Sequence, residues 1–247
     1  MMHVWHTRGS KWGRRLGWGG VTLAVGCAAA IVIGGLGFRF GLWPYSAGLQ
    51  TVRAAAWTDL AVLVLGMVGL GLGMRAADAR AMRLAVGALL CAVAVGAYPL
   101  YLFQQVGQVP RIHDITTDTD NPPKFVAVLP LRKGLNPLDV SPEVIALQKK
   151  GYPDIAPTTL DVAPVAAFER ALRAARAMGW EIVAEVPAEG RIEATDTSLL
   201  FGFKDDIVIR VAAQGAGSRV DARSVSRVGR SDFGVNAKRV RKYFAAL

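Results

Sequence analysis

Between Leu16 and Phe38 the chain runs for 23 residues without a charge. A bilayer's hydrocarbon core needs roughly 20 helical residues to cross it, so this stretch alone removes most soluble architectures from consideration. It is repeated. Ala54 to Met74 is charge-free except for Asp59, and Leu84 to Val106 carries no charge. Three transmembrane helices, at about 16–38, 54–74 and 84–106, are therefore expected, forming a membrane domain over residues 1–106. Arg14-Arg15 ahead of an apolar run and Ala28-Ala29-Ala30 mimic a cleavable signal, but the run continues for eight residues past Ala30, where a signal would end.

Charge separates the two parts of the chain. Residues 1–106 hold 9 basic and 2 acidic residues, and residues 107–247 hold 20 and 17, which together make the net +10. The excess over the apolar part belongs to its loops, so the high isoelectric point is not a nucleic-acid signature. Lys and Arg near span ends are retained in the cytoplasm. Arg8, Lys11, Arg14, Arg15, Arg75, Arg80 and Arg83 lie on one side of the spans, against Arg39 and Arg53 on the other. The N-terminus is expected in the cytoplasm, and an odd number of spans carries residues 107–247 to the periplasm of a bacterial inner membrane. Trp12, Trp18, Trp43, Tyr45 and Trp57 sit where interfacial aromatics anchor spans. Gly26, Ala30 and Gly34, Gly37 and Gly41, and Gly69 and Gly73 have the small-xxx-small spacing of close helix contacts. Asp59, six residues from Arg53, is expected at the interface. With no chain of ionisable residues crossing the spans, a pump or transporter is not indicated.

Both cysteines, Cys27 and Cys91, fall in the spans, so residues 107–247 have neither a disulfide nor thiol chemistry. Eight of the twelve prolines lie between Pro122 and Pro164. This stretch is expected to be irregular, with a short helical turn at 142–148 capped by Ser141. Val165, Phe168, Leu172 and Ala175 then recur at helical spacing up to Gly179. Four period-2 segments follow at 180–186, 191–197, 206–212 and 219–227, and a last helix covers 234–247. The alternation predicts a four-stranded antiparallel sheet with one apolar face under helices. The other face is expected to be wet and of mixed charge, carrying Glu181, Glu185, Arg191, Glu193, Arg210, Asp221, Arg223 and Arg227. The whole is a membrane-anchored α+β protein with a periplasmic α+β domain over 107–247.

The blocks Ile112-His113-Asp114-Ile115-Thr116-Thr117-Asp118, Asn121-Pro122-Pro123, Tyr152-Pro153-Asp154-Ile155, Glu193-Ala194-Thr195-Asp196-Thr197, Phe201-Gly202-Phe203-Lys204-Asp205-Asp206 and the run from Arg223 to Arg239 together resemble the bacterial DUF1499 family, over residues 111–247. That family has no established activity, so the resemblance implies no cofactor and no catalytic residue.

Three constellations could carry chemistry. His113 with Asp114, Asp118 and Asp120 has the imidazole and carboxylates that bind a divalent ion, and the threonines between them equally suggest a polar turn. Asp196 with Asp205 and Asp206 would gather carboxylates at a hairpin end, where Asp is also common for turn reasons. Arg223, Arg227, Arg230, Ser231 and Asn236 run into a helix start, where guanidiniums and backbone N–H groups can hold an anion. Gly229 and Gly234 there would let the backbone approach it. The expected function is non-catalytic: a tethered module binding the lipid bilayer and an envelope protein, anionic lipid or glycan, without a cofactor. The alternative is a metal- or carboxylate-dependent periplasmic hydrolase.

Overall fold

The computed structural model describes the backbone of residues 2–132 and 135–247 and, within it, side chains other than those of residues 2–9 and Leu102. Arg8, one of the charges counted above, has its side chain outside that description. The chain divides into two compact units, Met1–Gln104 with Leu200–Gly202, and Gln105–Leu199 with Phe203–Leu247.

The first unit is built of three long helices, α1 (Met2–Arg39), α2 (Tyr45–Arg75) and α3 (Ala79–Gln105). Ser10–Arg39, Tyr45–Arg75 and Ala79–Gln105 are each long and apolar enough to cross a membrane. On each a run of buried positions steps by four and three residues: Gly13, Gly17, Gly20, Ala24 and Cys27 on α1, Ala55, Asp59, Val62, Gly66, Gly69 and Gly73 on α2, Ala81, Ala85, Ala88 and Ala92 on α3. A 3.5-residue period is the seam of a left-handed coiled coil. Small residues make that seam close. A Cβ on Gly17 would stand 2.7 Å from the Cβ of Leu84, and one on Gly20 2.8 Å from that of Ala88. Gly69 and Gly73 lie in the seam as their spacing suggests, and Gly34 and Gly37 are buried, with a Cβ on Gly34 3.1 Å from the carbonyl oxygen of Gly48, but Gly26 and Gly41 are exposed. The contact row on α1 therefore starts at Gly13 and follows the 3.5 period, not the fixed step of four from Gly26.

Two boundaries move the charges. Arg39 ends α1 and Tyr45 starts α2, so Arg53 belongs to a helix and not to a loop. Because α2 begins nine residues before Ala54, Asp59 lies at the middle of this helix, 3% exposed, and not at its end. In the link to α3, Asp78 accepts from the backbone N–H groups of Arg80 and Ala81. It also accepts from Arg14 Nε at 2.7 Å and from Ser10. Arg14 and Ser10 hold the Asp78 carboxyl well below the usual carboxylate range.

Among the described residues the second unit has six strands where four were expected: β1 (Asp114–Thr116), β2 (Thr158–Leu160), β3 (Glu181–Val186), β4 (Arg191–Thr197), β5 (Lys204–Gln214) and β6 (Gly217–Ser226). The order is β1-β6-β5-β4-β3, with β2 also on β6, and every pairing is antiparallel. Its helices are α4 (Pro142–Gly151), α5 (Pro164–Ala177) and α6 (Val235–Ala245). At the start of α4, Ser141 Oγ accepts from Val144 N and Pro142 takes the first turn. Gly190 closes the β3–β4 link at φ +60°, where a Cβ would lie 2.0 Å from the carbonyl oxygen of Val211; only glycine fits.

α5 and α6 cover one face of the sheet, packing Phe168, Ala171 and Tyr243 on Ile192, Ala194, Ile207, Ile209, Val220 and Ala222. Tyr243 stacks on Trp180 at 5.3 Å and donates to the carbonyl of Ala171. On β3 a bulge after Ile182 changes the register, since Ile182 pairs with Ala194 but Ala184 with Glu193. Ala184 and Val186 thus leave the apolar face expected of them, and Glu185 turns to the helix side, where Arg176 donates to it.

The other face is not wet. Phe125, Val128 and Leu138, from the proline-rich stretch and a 3-10 turn at Leu129–Arg132, pack on Val183, Val208 and Val225. Glu193, Asp206 and Asp221 on this face have no exposed surface.

Candidate functional site

Pleating places Arg191, Glu193 and Thr195 of β4, Asp206, Val208 and Arg210 of β5, and Asp221, Arg223 and Val225 of β6 on the covered face. The register aligns them in rows across the strands, Arg191–Arg210–Asp221, Glu193–Val208–Arg223 and Thr195–Asp206–Val225. A buried carboxylate needs partners for its charge, and each of these has them.

Asp206 accepts from Arg132 Nη1 at 2.5 Å, from Arg227 through Nε at 2.9 Å and Nη2 at 2.8 Å, and from Thr195 Oγ1 at 2.8 Å. Burial pushes its carboxyl up, but the bonds from Arg227, Arg132 and Thr195 outweigh that and leave it below the ordinary range. Glu193 accepts the backbone N–H groups of Val126, Ala127 and Val128, each at 3.0 Å, and a bond from Arg191. Asp221 takes Arg210 and Arg219, and Asp118 takes the same two guanidiniums at 2.9 and 2.8 Å. Burial raises Asp118; the Asn121 N–H, Arg210 and Arg219 together bring it down. Arg223 grips Asp114 through two bonds of 3.0 and 2.7 Å, donates to the carbonyl of Leu138, and lies over the ring of Phe125.

These pairings divide the expected metal set among separate cations. Asp114 faces Arg223, Asp118 faces Arg210 and Arg219, and exposed Asp120 stands 3.5 Å from Lys149. The carbonyl of His113 accepts from Ser226 N and Asn236 Nδ2. Among the described residues no three of His, Cys, Asp and Glu come together as ligands for a metal ion.

The carboxylate trio is divided. Asp196 and Asp205 pair directly across β4 and β5 on the helix side and share Arg239, whose Nε reaches Asp196 at 2.9 Å and whose Nη2 reaches Asp205 at 2.6 Å. Asp206, one residue on, points to the opposite face. The arginine set is divided as well. Arg223 and Arg227 are bound to internal carboxylates, and Asn236 bonds Ser224, Ser226 and the His113 carbonyl. Ser231 accepts from Phe233 N at 3.3 Å, and exposed Arg230 has no partner among the described residues. The start of α6 is occupied from within, because Asp232 accepts from the N–H groups of Gly234 and Asn236, both at 2.8 Å. Burial pushes the Asp232 carboxyl up against those two bonds.

A cavity of about 250 Å³ lies at the edge of the covered face, lined by Pro122, Lys124, Val126, Glu189, Arg191 and Arg210 among others. Arg191 and Arg210 present guanidiniums already steadied by carboxylates, while exposed Lys124 has no partner among the described residues. Apolar walls with oriented donors suit a partner's carboxylate or carbonyl group. Lys124 and Glu189 were missed as site residues in the sequence, although the Asn121-Pro122-Pro123 block that precedes Lys124 was distinctive.

A family model described as a protein of unknown function, DUF1499, matches residues 114–247. The chain belongs to the DUF1499 family. The match spans all six strands and α4 to α6, so in this member the DUF1499 region includes both the arginine–carboxylate face and the segment clamped over it. Neither the curated proteins nor the solved structures gave a match.

Proposed function

We propose that this is a multi-pass protein of a bacterial inner membrane, N-terminus in the cytoplasm, whose DUF1499 domain acts in the periplasm as a non-catalytic binding module of the envelope. The observation that carries the reading is the set of three helices long and apolar enough to span, with seven basic residues on one side against two on the other. The non-catalytic part rests on the covered face. Its carboxylates and guanidiniums are spent on one another and on pinning residues 114–132 and 135–138, which leaves the cavity beside Lys124 as the surface for an envelope protein, anionic lipid or glycan.

The test uses the full-length chain expressed in a bacterium. Carbonate-washed membranes should retain it, and a photocrosslinker at Lys124 should give a discrete adduct that a crosslinker at exposed Val165 does not. Release of the chain by carbonate would end the membrane reading. Identical adducts from both positions would end the binding reading.

A further inference from the structure

Asp59 occupies a seam position midway along α2, where the alternatives at equivalent layers are Ala, Val and Gly. It is 3% exposed, and its Oδ1 atom is buried without a hydrogen-bond partner. Its Oδ2 atom stands 2.8 Å from the point that a Cβ on Gly96 of α3 would occupy, so the absence of a side chain at residue 96 makes the room for it.

Among the described residues the groups around it supply no counter-charge. On α1 the ionisable residue between Leu16 and Phe38 is Cys27, which is near enough to interact with Asp59 electrostatically. On α3 they are Arg80 and Arg83 in its first turns, at least 13 residues before Gly96, and Cys91, Tyr98 and Tyr101, of which the two tyrosines are exposed. On α2 itself Arg53, six residues away, is exposed, and Arg75 ends the helix. An unpaired carboxylate in hydrocarbon is among the costliest arrangements a chain can adopt, whereas the neutral acid has no charge to desolvate.

We propose that Asp59 is a proton-binding site in the membrane core, held as the uncharged acid between α1, α2 and α3 in the space left by Gly96. This rests on the reading that the three helices span a bilayer. The ligand is the proton. Losing it would place an unpaired charge in the seam, so proton binding and close packing of the three helices are coupled.

The experiment is polarised infrared spectroscopy of the full-length protein in oriented phosphatidylcholine bilayers at neutral pH, with the aspartates labelled by carbon-13 in the side-chain carboxyl. The expected result is an isotope-shifted neutral-acid carbonyl band that disappears in Asp59→Asn. In Asp59→Glu, which keeps an acid and guards against a misfolded amide variant, the band should lose its isotope shift. The amide bands of the same sample report whether the helices stand along the bilayer normal. Helices along the normal without an acid band dependent on Asp59 overturn the proton site and leave the spanning reading intact. Helices lying flat overturn the spanning reading, and the site with it.

Discussion

Asp206 shows how much depends on single residues of the covered face. It meets two guanidiniums and a hydroxyl with no exposed surface of its own, so removing it strands Arg132 and Arg227 in a dry environment. Asp206→Ala is expected to cost about 3–5 kcal/mol of stability, the range for breaking a buried pair from one side, read as a lowered urea midpoint with an unchanged slope. Arg241→Ala provides the contrast. Arg241 and Asp154 form a two-bond pair, but both are about half exposed, and less than about 1 kcal/mol should be lost. The pH dependence follows from the same pairings. Asp206 and Asp118 are held below their ordinary value, so the native state binds fewer protons than the unfolded chain at acid pH. Their contribution is complete above about pH 4 and is lost as pH falls through their folded values. Midpoints measured down an acid series should fall with a shallower slope in Asp206→Asn than in the natural chain. An equal slope would mean that Asp206 is not ionised in the fold.

At the level of elements, periodicity carried the reading as far as it repeats. β4 matches its sequence segment, and β5, β6 and α5 differ at their ends, because alternation over seven or more residues has no competing explanation. β1 and β2 have three residues each, too few to show a period. The covered face was misjudged because a charged residue on alternate positions looks the same under water and under a clamp. Val183, Val208 and Val225 stood on that face as the available signal, since three valines have no reason to line a solvated surface. The bulge on β3 left no mark in the pattern. As for the sites, sequence proximity suggested clusters that the pleat divides: Asp205 and Asp206 are neighbours in the chain and look to opposite faces. What holds the clamp is Glu193, whose carboxylate binds three consecutive N–H groups. Glu193→Ala leaves those donors and Arg191 without it; of the three N–H groups only that of Val128 is fully buried, and at about 1–3 kcal/mol for a buried orphaned group the loss should be about 1–3 kcal/mol. Amide hydrogen exchange at Val126 to Val128 should accelerate well before that of β5. Protection lost evenly across the sheet would show that the clamp is not a separate cooperative element.

At the scale of the whole molecule, two compact units each have their own core: the heptad seam of α1 to α3, and the sheet between its helices and its clamp. Under the proposed spanning reading, the orientation of the first decides the compartment of the second. Arg14, Arg15, Arg75, Arg80 and Arg83 gather about the start of α1 and the α2–α3 link, with Lys11 beside them. Asp78 in that link neutralises part of this charge through Arg14, yet retention follows the Lys and Arg count and is little affected by acidic residues. The pairing therefore leaves the expected topology unchanged. It ties α1 to the α2–α3 link. A reporter active only in the cytoplasm should work when fused after Asp78, and one active only in the periplasm when fused after Leu247. Replacing Arg75, Arg80 and Arg83 together by Gln removes three of the seven positives and should produce a mixed population at both fusion points. Replacing Asp78 by Asn should not. Cytoplasmic activity after Leu247 in the natural chain would overturn the topology and, with it, the periplasmic assignment of the DUF1499 domain.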